Sequence, residues 1–86
     1  MKNLEKQLKA LANRRRLAIL KYLKKSRQAP VGEIAGEINL SIKATSKHLN
    51  ILAAADILER EQISLSVFYR LSSDPSPIVR QAISIL

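Results

Sequence analysis

The chain contains no cysteine and no tryptophan, a single histidine, two glycines and three prolines in 86 residues. Each scarcity closes a route. Without cysteine there is no disulfide framework, no thiolate metal site and no cysteine nucleophile, so stability must come from packing or from association between copies. His48 is the sole histidine, and one imidazole without convergent ligands makes a poor transition-metal site, so neither a metal nor another cofactor is expected. Only Gly32 and Gly36 are present, so there is no glycine loop to cradle a phosphate. No paired-carboxylate motif is in view, and no nucleophile stands with both a base and an orienting partner, which argues against an enzyme. The aromatics are Tyr22, Phe68 and Tyr69, few for the base-stacking platforms of single-strand RNA-binding modules. No apolar run approaches bilayer thickness, and residues 1–13 interleave Lys2, Glu5, Lys6 and Lys9 with leucines. The expectation is a soluble, cytoplasmic protein without a secretory leader.

What the chain has in excess is positive charge. Fifteen Lys and Arg oppose seven Asp and Glu, a net of +8. Residues 1–27 hold ten basic residues and one acid, a balance of +9, whereas residues 28–86 hold five basic and six acidic, a balance of −1. A polyanion is the natural partner of so lopsided a field, although a merely solvated helical surface has the same composition. A chain this short buries only about 60 to 65% of its unfolded surface, which allows one core and hence one domain, 1–86.

Hydrophobic spacing supplies the elements. Leu4, Leu8 and Leu11 describe an amphipathic first helix, and Arg14 to Lys25 carries Leu17, Ile19, Leu20 and Leu23 on a second. Asn13 stands between them, where it either interrupts or caps. Residues 26–30 read as a connection, with Pro30 suited to a helix start. Val31, Ile34, Ala35 and Ile38 define a third helix of barely two turns; Ser41, a good N-cap residue, opens a fourth over 42–55 lined by Thr45, Leu49, Leu52 and Ala53. Two short helices joined by about three residues form a helix-turn-helix, here 31–55. Ile57–Gln62 and Val67–Leu71 suit two strands of a hairpin within 57–71, although the connecting residues 63–66 lack Gly, Asn or Asp. Ser76 and Pro77 then start a helix over 77–86, with Ile78, Val79, Ala82, Ile83 and Leu86 at helical spacing. So short a helix must pack its apolar side on its own domain or on another subunit.

Three stretches of this sequence resemble a known family. Leu8 to Leu20, LKALANRRRLAIL, is similar to the opening of the ArsR/SmtB-type winged helix-turn-helix repressors. Ile34, Ala35, Ile38, Leu40, Ser41, the ATSKHL stretch of Ala44 to Leu49, and Leu52 resemble their DNA-reading helix pair, and Phe68, Tyr69, Arg70 and Leu71 their wing ending. The resemblance spans about residues 4–72. It implies a mainly α fold with a small β-wing: four helices, two strands and a fifth helix. It also implies a homodimeric repressor with the first and last helices at the interface, through Leu4, Leu8, Leu11, Ile78, Val79, Ala82, Ile83 and Leu86. Metal-sensing members carry cysteines in the third helix or Asp and His on the fifth. This chain has neither set.

A helix N-terminus in the major groove reads base edges with short polar and cationic side chains. Ser41, Lys43, Ser46, Lys47 and His48 are those candidates, with both lysines suited first to phosphate. His48 borders the apolar face and is equally a packed boundary residue. Arg14, Arg15 and Arg16 extend the footprint, and Arg60 and Arg70 flank a wing whose tip, residues 62–67, carries no charge. The reading is thus sequence-specific recognition of double-stranded DNA as an inverted repeat. Two others stand beside it: an RNA- or ribosome-associated protein using the first two basic helices, and a winged-helix protein-interaction scaffold.

Overall fold

The computed structural model describes residues 2–86; Met1, the first residue of the expected domain, lies outside the described residues. The chain forms α1 (Lys2–Leu11), α2 (Arg14–Ser26), β1 (Gln28–Pro30), α3 (Val31–Ile38), α4 (Ile42–Ala54), β2 (Leu58–Ile63), β3 (Ser66–Leu71) and α5 (Pro77–Ser84). Local chemistry sets these boundaries. Asn13, Ser41 and Ser76 each adopt extended backbone and accept a backbone N–H three residues on, from Arg16, Ala44 and Val79. Three helices therefore begin on side-chain caps, each worth about 1 kcal/mol. α3 ends at Asn39, whose left-handed backbone (φ 60, ψ 48) lets its N–H close on the Ala35 carbonyl.

α2 is the central element. Its Ile19, Leu20 and Leu23 join Ile34 of α3, Leu49 and Leu52 of α4, Ile57, and Val79 of α5 in one core, each no more than 1% exposed. Burying one such aliphatic side chain contributes about 1.5–3 kcal/mol.

Two expectations are corrected by the strands. The connection after α2 contains a third strand: β1 pairs antiparallel with β3 through Gln28↔Arg70, Ala29↔Tyr69 and Pro30↔Phe68, giving a sheet of order β1-β3-β2. Three residues are too few to show a period of two, and Pro30 is tolerated because β1 is an edge. The hairpin is also tighter than expected, since Ile63↔Ser66 is the last pair and only Ser64 and Leu65 turn the chain. Ser64 has φ 59, supplying the positive dihedral that Gly or Asn provides in most two-residue hairpin loops.

The expected dimer set divides. Leu11 and Val79 are 8% and 0% exposed within a single chain; both belong to the protomer's own core and are corrected to packing positions. α1 has two distinct faces. Gln7, Ala10 and Leu11 point inward, whereas Leu4 and Leu8 stay exposed. Gln7 is buried because both ends of its amide are used: Nε2 donates to the Ala55 carbonyl at 3.0 Å and Oε1 accepts from Ser76 Oγ at 2.7 Å.

Candidate nucleic-acid interface

α3 and α4 are separated by three residues, Asn39, Leu40 and Ser41, and pack on one another and on α2. Thr45, Leu49 and Leu52 fix α4 by its inner face. That seating turns Lys43, Lys47 and Asn50 outward, leaves Ser46 and His48 half-buried on the flanks, and exposes Ser41 at the N-terminus. The Ser41 Oγ accepts from Ala44 N at 3.1 Å, which leaves its own O–H free to donate. The expected reading face is therefore assembled on one side of one helix, at the end where the helix dipole favours a phosphate.

Sequence reasoning missed Ile42. It is the first residue of α4 and is 57% exposed among Ser41, Lys43 and Ser46. Its signal was legible, since a β-branched apolar residue just after an N-cap precedes the buried line of the helix.

The arginines do not act alike. Arg14 is exposed, and among the described residues its side chain makes no hydrogen bond. Arg15 Nη1 donates to the Ile38 carbonyl at 3.0 Å, closing the end of α3. Arg16 also acts as a brace. Its Nε donates to the Ala10 carbonyl at 2.6 Å, Nη2 to the Lys9 carbonyl at 3.2 Å, and Nη1 meets His48 Nδ1 at 3.2 Å. All three nitrogens are thereby engaged, tying the carbonyl end of α1 to α4. A guanidinium only donates, so Nδ1 of His48 must be the acceptor and its proton sits on Nε2. Partial burial, and then the charges of Arg16, Arg15 and Lys47, lower the His48 pKa below its ordinary value. The imidazole is held neutral, a packed boundary residue with one N–H remaining.

On the wing, Arg60 is exposed. Arg70 pairs with Glu59 at 3.2 Å and Glu61 at 2.8 Å across the strands, so its charge is balanced within the sheet. Glu59 also accepts from the Ser73 backbone N–H at 3.0 Å, and that bond, ahead of the Arg70 charge, holds its pKa below the usual carboxylate range. The uncharged tip exposes apolar side chains, with Leu65 96% exposed between Ile63 and Val67.

Among the described residues no three His, Cys, Asp or Glu side chains converge as a metal site, and no helix is long and apolar enough to cross a membrane.

Comparison with known proteins agrees with this geometry. A helix-turn-helix domain family model matches residues 11–61. The nodulation protein NolR of Rhizobium meliloti is 39% identical over 67 residues, 78% of this chain and 54% of that protein. The transcriptional activator HlyU of Vibrio cholerae is 41% identical over 66 residues, 77% of this chain and 60% of that protein. The chain thus spans little more than half the length of these relatives. Reduced HlyU from V. cholerae superposes with a TM-score of 0.82 at 35% identity, covering 99% of this chain and 85% of that one. The homodimeric winged helix-turn-helix DNA-binding domain of Mb0332 from Mycobacterium bovis, described as a possible ArsR-family regulator, superposes with a TM-score of 0.83 at 25% identity, covering 98% and 74%. With five helices around a hairpin wing and these matches over most of its length, the chain belongs to the winged helix-turn-helix family of ArsR-type regulators.

Proposed function

We propose that this protein is a homodimeric transcription regulator that binds double-stranded DNA sequence-specifically, inserting α4 into the major groove. The observation that carries the reading is the outward row Ser41, Lys43 and Lys47, flanked by half-buried Ser46, on a helix whose opposite face is locked into the core. Arg14 and Arg60 add charge on either side, suited to phosphate. The protein acts by binding rather than by catalysis, in the cytoplasm, and uses no metal or other cofactor. A repressor role follows where the occupied site overlaps a promoter. One relative is named an activator and a solved neighbour an antimony-specific repressor, so the position of the site relative to the promoter sets the sign.

The second copy is argued from surface chemistry. Leu4 and Leu8 of α1 are 42% and 46% exposed, and Ile85 after α5 is 76% exposed. Leu4 and Ile78 line one shallow groove between the two helices. Ile78, Ala82, Ile83 and Leu86 are only partly buried in the protomer, and pairing this face with its own copy would cover them. Leu8→Glu places two carboxylates in that seam and is expected to give a monomer by sedimentation at micromolar concentration with an unchanged circular dichroism spectrum. An unchanged dimer would remove this face from the interface.

A two-fold dimer sets its recognition helices about 34 Å apart, one turn of B-DNA. Selection from a random duplex library is expected to enrich an inverted repeat with half-sites about ten base pairs apart. Enrichment of no sequence, with salt-sensitive binding to RNA, would favour the ribosome-associated alternative instead.

A further inference from the structure

Ile42 is the residue the proposed function leaves without a task, and its placement is chemically specific. The inner face of α4 is complete without it: Thr45, Leu49 and Leu52 are fully buried, while Ile42 is 57% exposed. It stands one turn before Ser46 and directly between Ser41, the cap, and Lys43. Its neighbours on that end of the helix are thus hydrogen-bonding or cationic. An isoleucine has no donor or acceptor, so it cannot satisfy a phosphate or a polar base edge. The one apolar group on a base edge in the major groove is the C5-methyl of thymine. A branched side chain at the first turn of a groove-inserted helix lies among the positions that approach base edges.

We infer that Ile42 reads a thymine, packing its side chain on the C5-methyl group, and so determines one position of each half-site. The assignment rests on the proposed DNA reading by α4. The flanking Lys43 and Ser46 fix the helix on phosphate or polar edges; Ile42 adds a preference that neither can supply, because removing a methyl leaves every hydrogen-bonding group of the base in place.

That property gives the test. Deoxyuridine differs from thymidine only by the methyl, so the duplex recovered by random selection is resynthesised with each thymine in turn replaced by deoxyuridine, and binding is followed by fluorescence anisotropy. The synthetic library contains no 5-methylcytosine, so any methyl read in it belongs to thymine. The parent is expected to lose about fourfold in affinity at one thymine per half-site, and about fifteenfold when both half-sites are changed. Ile42→Ala should bind thymine and deoxyuridine duplexes equally, while Ile42→Val keeps most of the difference. A specific duplex on which deoxyuridine is neutral everywhere, or whose half-sites lack thymine, overturns the assignment and leaves the DNA reading standing. So does an Ile42→Ala variant that remains as sensitive as the parent. Recovery of no specific duplex overturns both.

Discussion

Arg16→Ala is expected to lower stability by about 2–3 kcal/mol, a fall in melting temperature of roughly 10–20 °C for a domain of this size. The side chain is half-buried and its three nitrogens serve two backbone carbonyls at the end of α1 and the imidazole of α4. Truncation leaves the Lys9 and Ala10 carbonyls without this donor at a point where the helix has no partner of its own for them. Arg16→Lys keeps the charge but not the planar fork, and should recover less than half of the loss. The same contact predicts a pH dependence. Because the folded pKa of His48 lies below 6.5, the unfolded chain binds the proton more readily. The contribution is therefore present above pH 6.5 and lost progressively as pH falls from there through the folded pKa. Removing Arg16 takes away one of the repelling charges, so the acid loss should shrink; partial burial of the ring, the larger cause, keeps it from vanishing. Thermal melts followed by circular dichroism between pH 8 and pH 5, at fixed protein concentration because any association of copies is linked to folding, check both statements. An Arg16→Ala variant that melts with the parent at every pH would mean that these bonds merely exchange for water.

Arg16 also marks where the sequence stopped being legible. Helices declare themselves through spacing over many residues, and the caps Asn13, Ser41 and Ser76 act within three residues of themselves; both kinds of information are local, so element order and the inward faces of α2, α3 and α4 could be read directly. Arg14, Arg15 and Arg16 are chemically identical in one dimension. Which of them meets solvent and which meets the carbonyls of α1 depends on how α1 crosses α2 and α4, a long-range outcome. The same holds for Gln7, whose burial requires partners 48 and 69 residues away, and for β1, which exists only because β3 lies beside it. The ion pairs of Arg70 are hidden in the sequence for a related reason. Alternation along β2 puts Glu59 and Glu61 on one face, but their meeting with Arg70 needed the cross-strand register, and that register was obscured by a turn with no glycine. Leu11 and Val79 are ambiguous in the sequence because an apolar line tells that a face is buried without telling by what.

The same limits do not touch Lys43 and Lys47, whose exposure follows from the helical period alone, and their joint reversal carries the largest expected effect on binding. Lys43→Glu with Lys47→Glu removes four cations from a dimer and introduces four anions beside the phosphates. At up to about 1 kcal/mol for each lost contact, with repulsion by the new carboxylates in addition, and 1.4 kcal/mol per factor of ten, specific affinity should fall by about a thousandfold. If all four lysines contact phosphate, the slope of log affinity against log salt should become shallower by about 3.6, from roughly 0.9 per neutralised phosphate. Neither lysine makes a hydrogen bond or ion pair among the described residues and both are exposed, so the melting temperature should stay within a few degrees of the parent. The matched control is Lys21→Glu with Lys25→Glu, which makes the same charge change on the exposed side of α2 and leaves α4 untouched. If binding is steered only by overall charge, the two double variants lose affinity alike and lose the specific and the non-specific complex together. If α4 enters the groove, the α2 variant retains its preference for the selected inverted repeat over random DNA, while the α4 variant loses that preference and shows the shallower salt slope. A loss confined to the α2 variant would move the nucleic-acid surface to the first two helices, where the excess charge of residues 1–27 lies, and would make the polar row on α4 a solvated helix face.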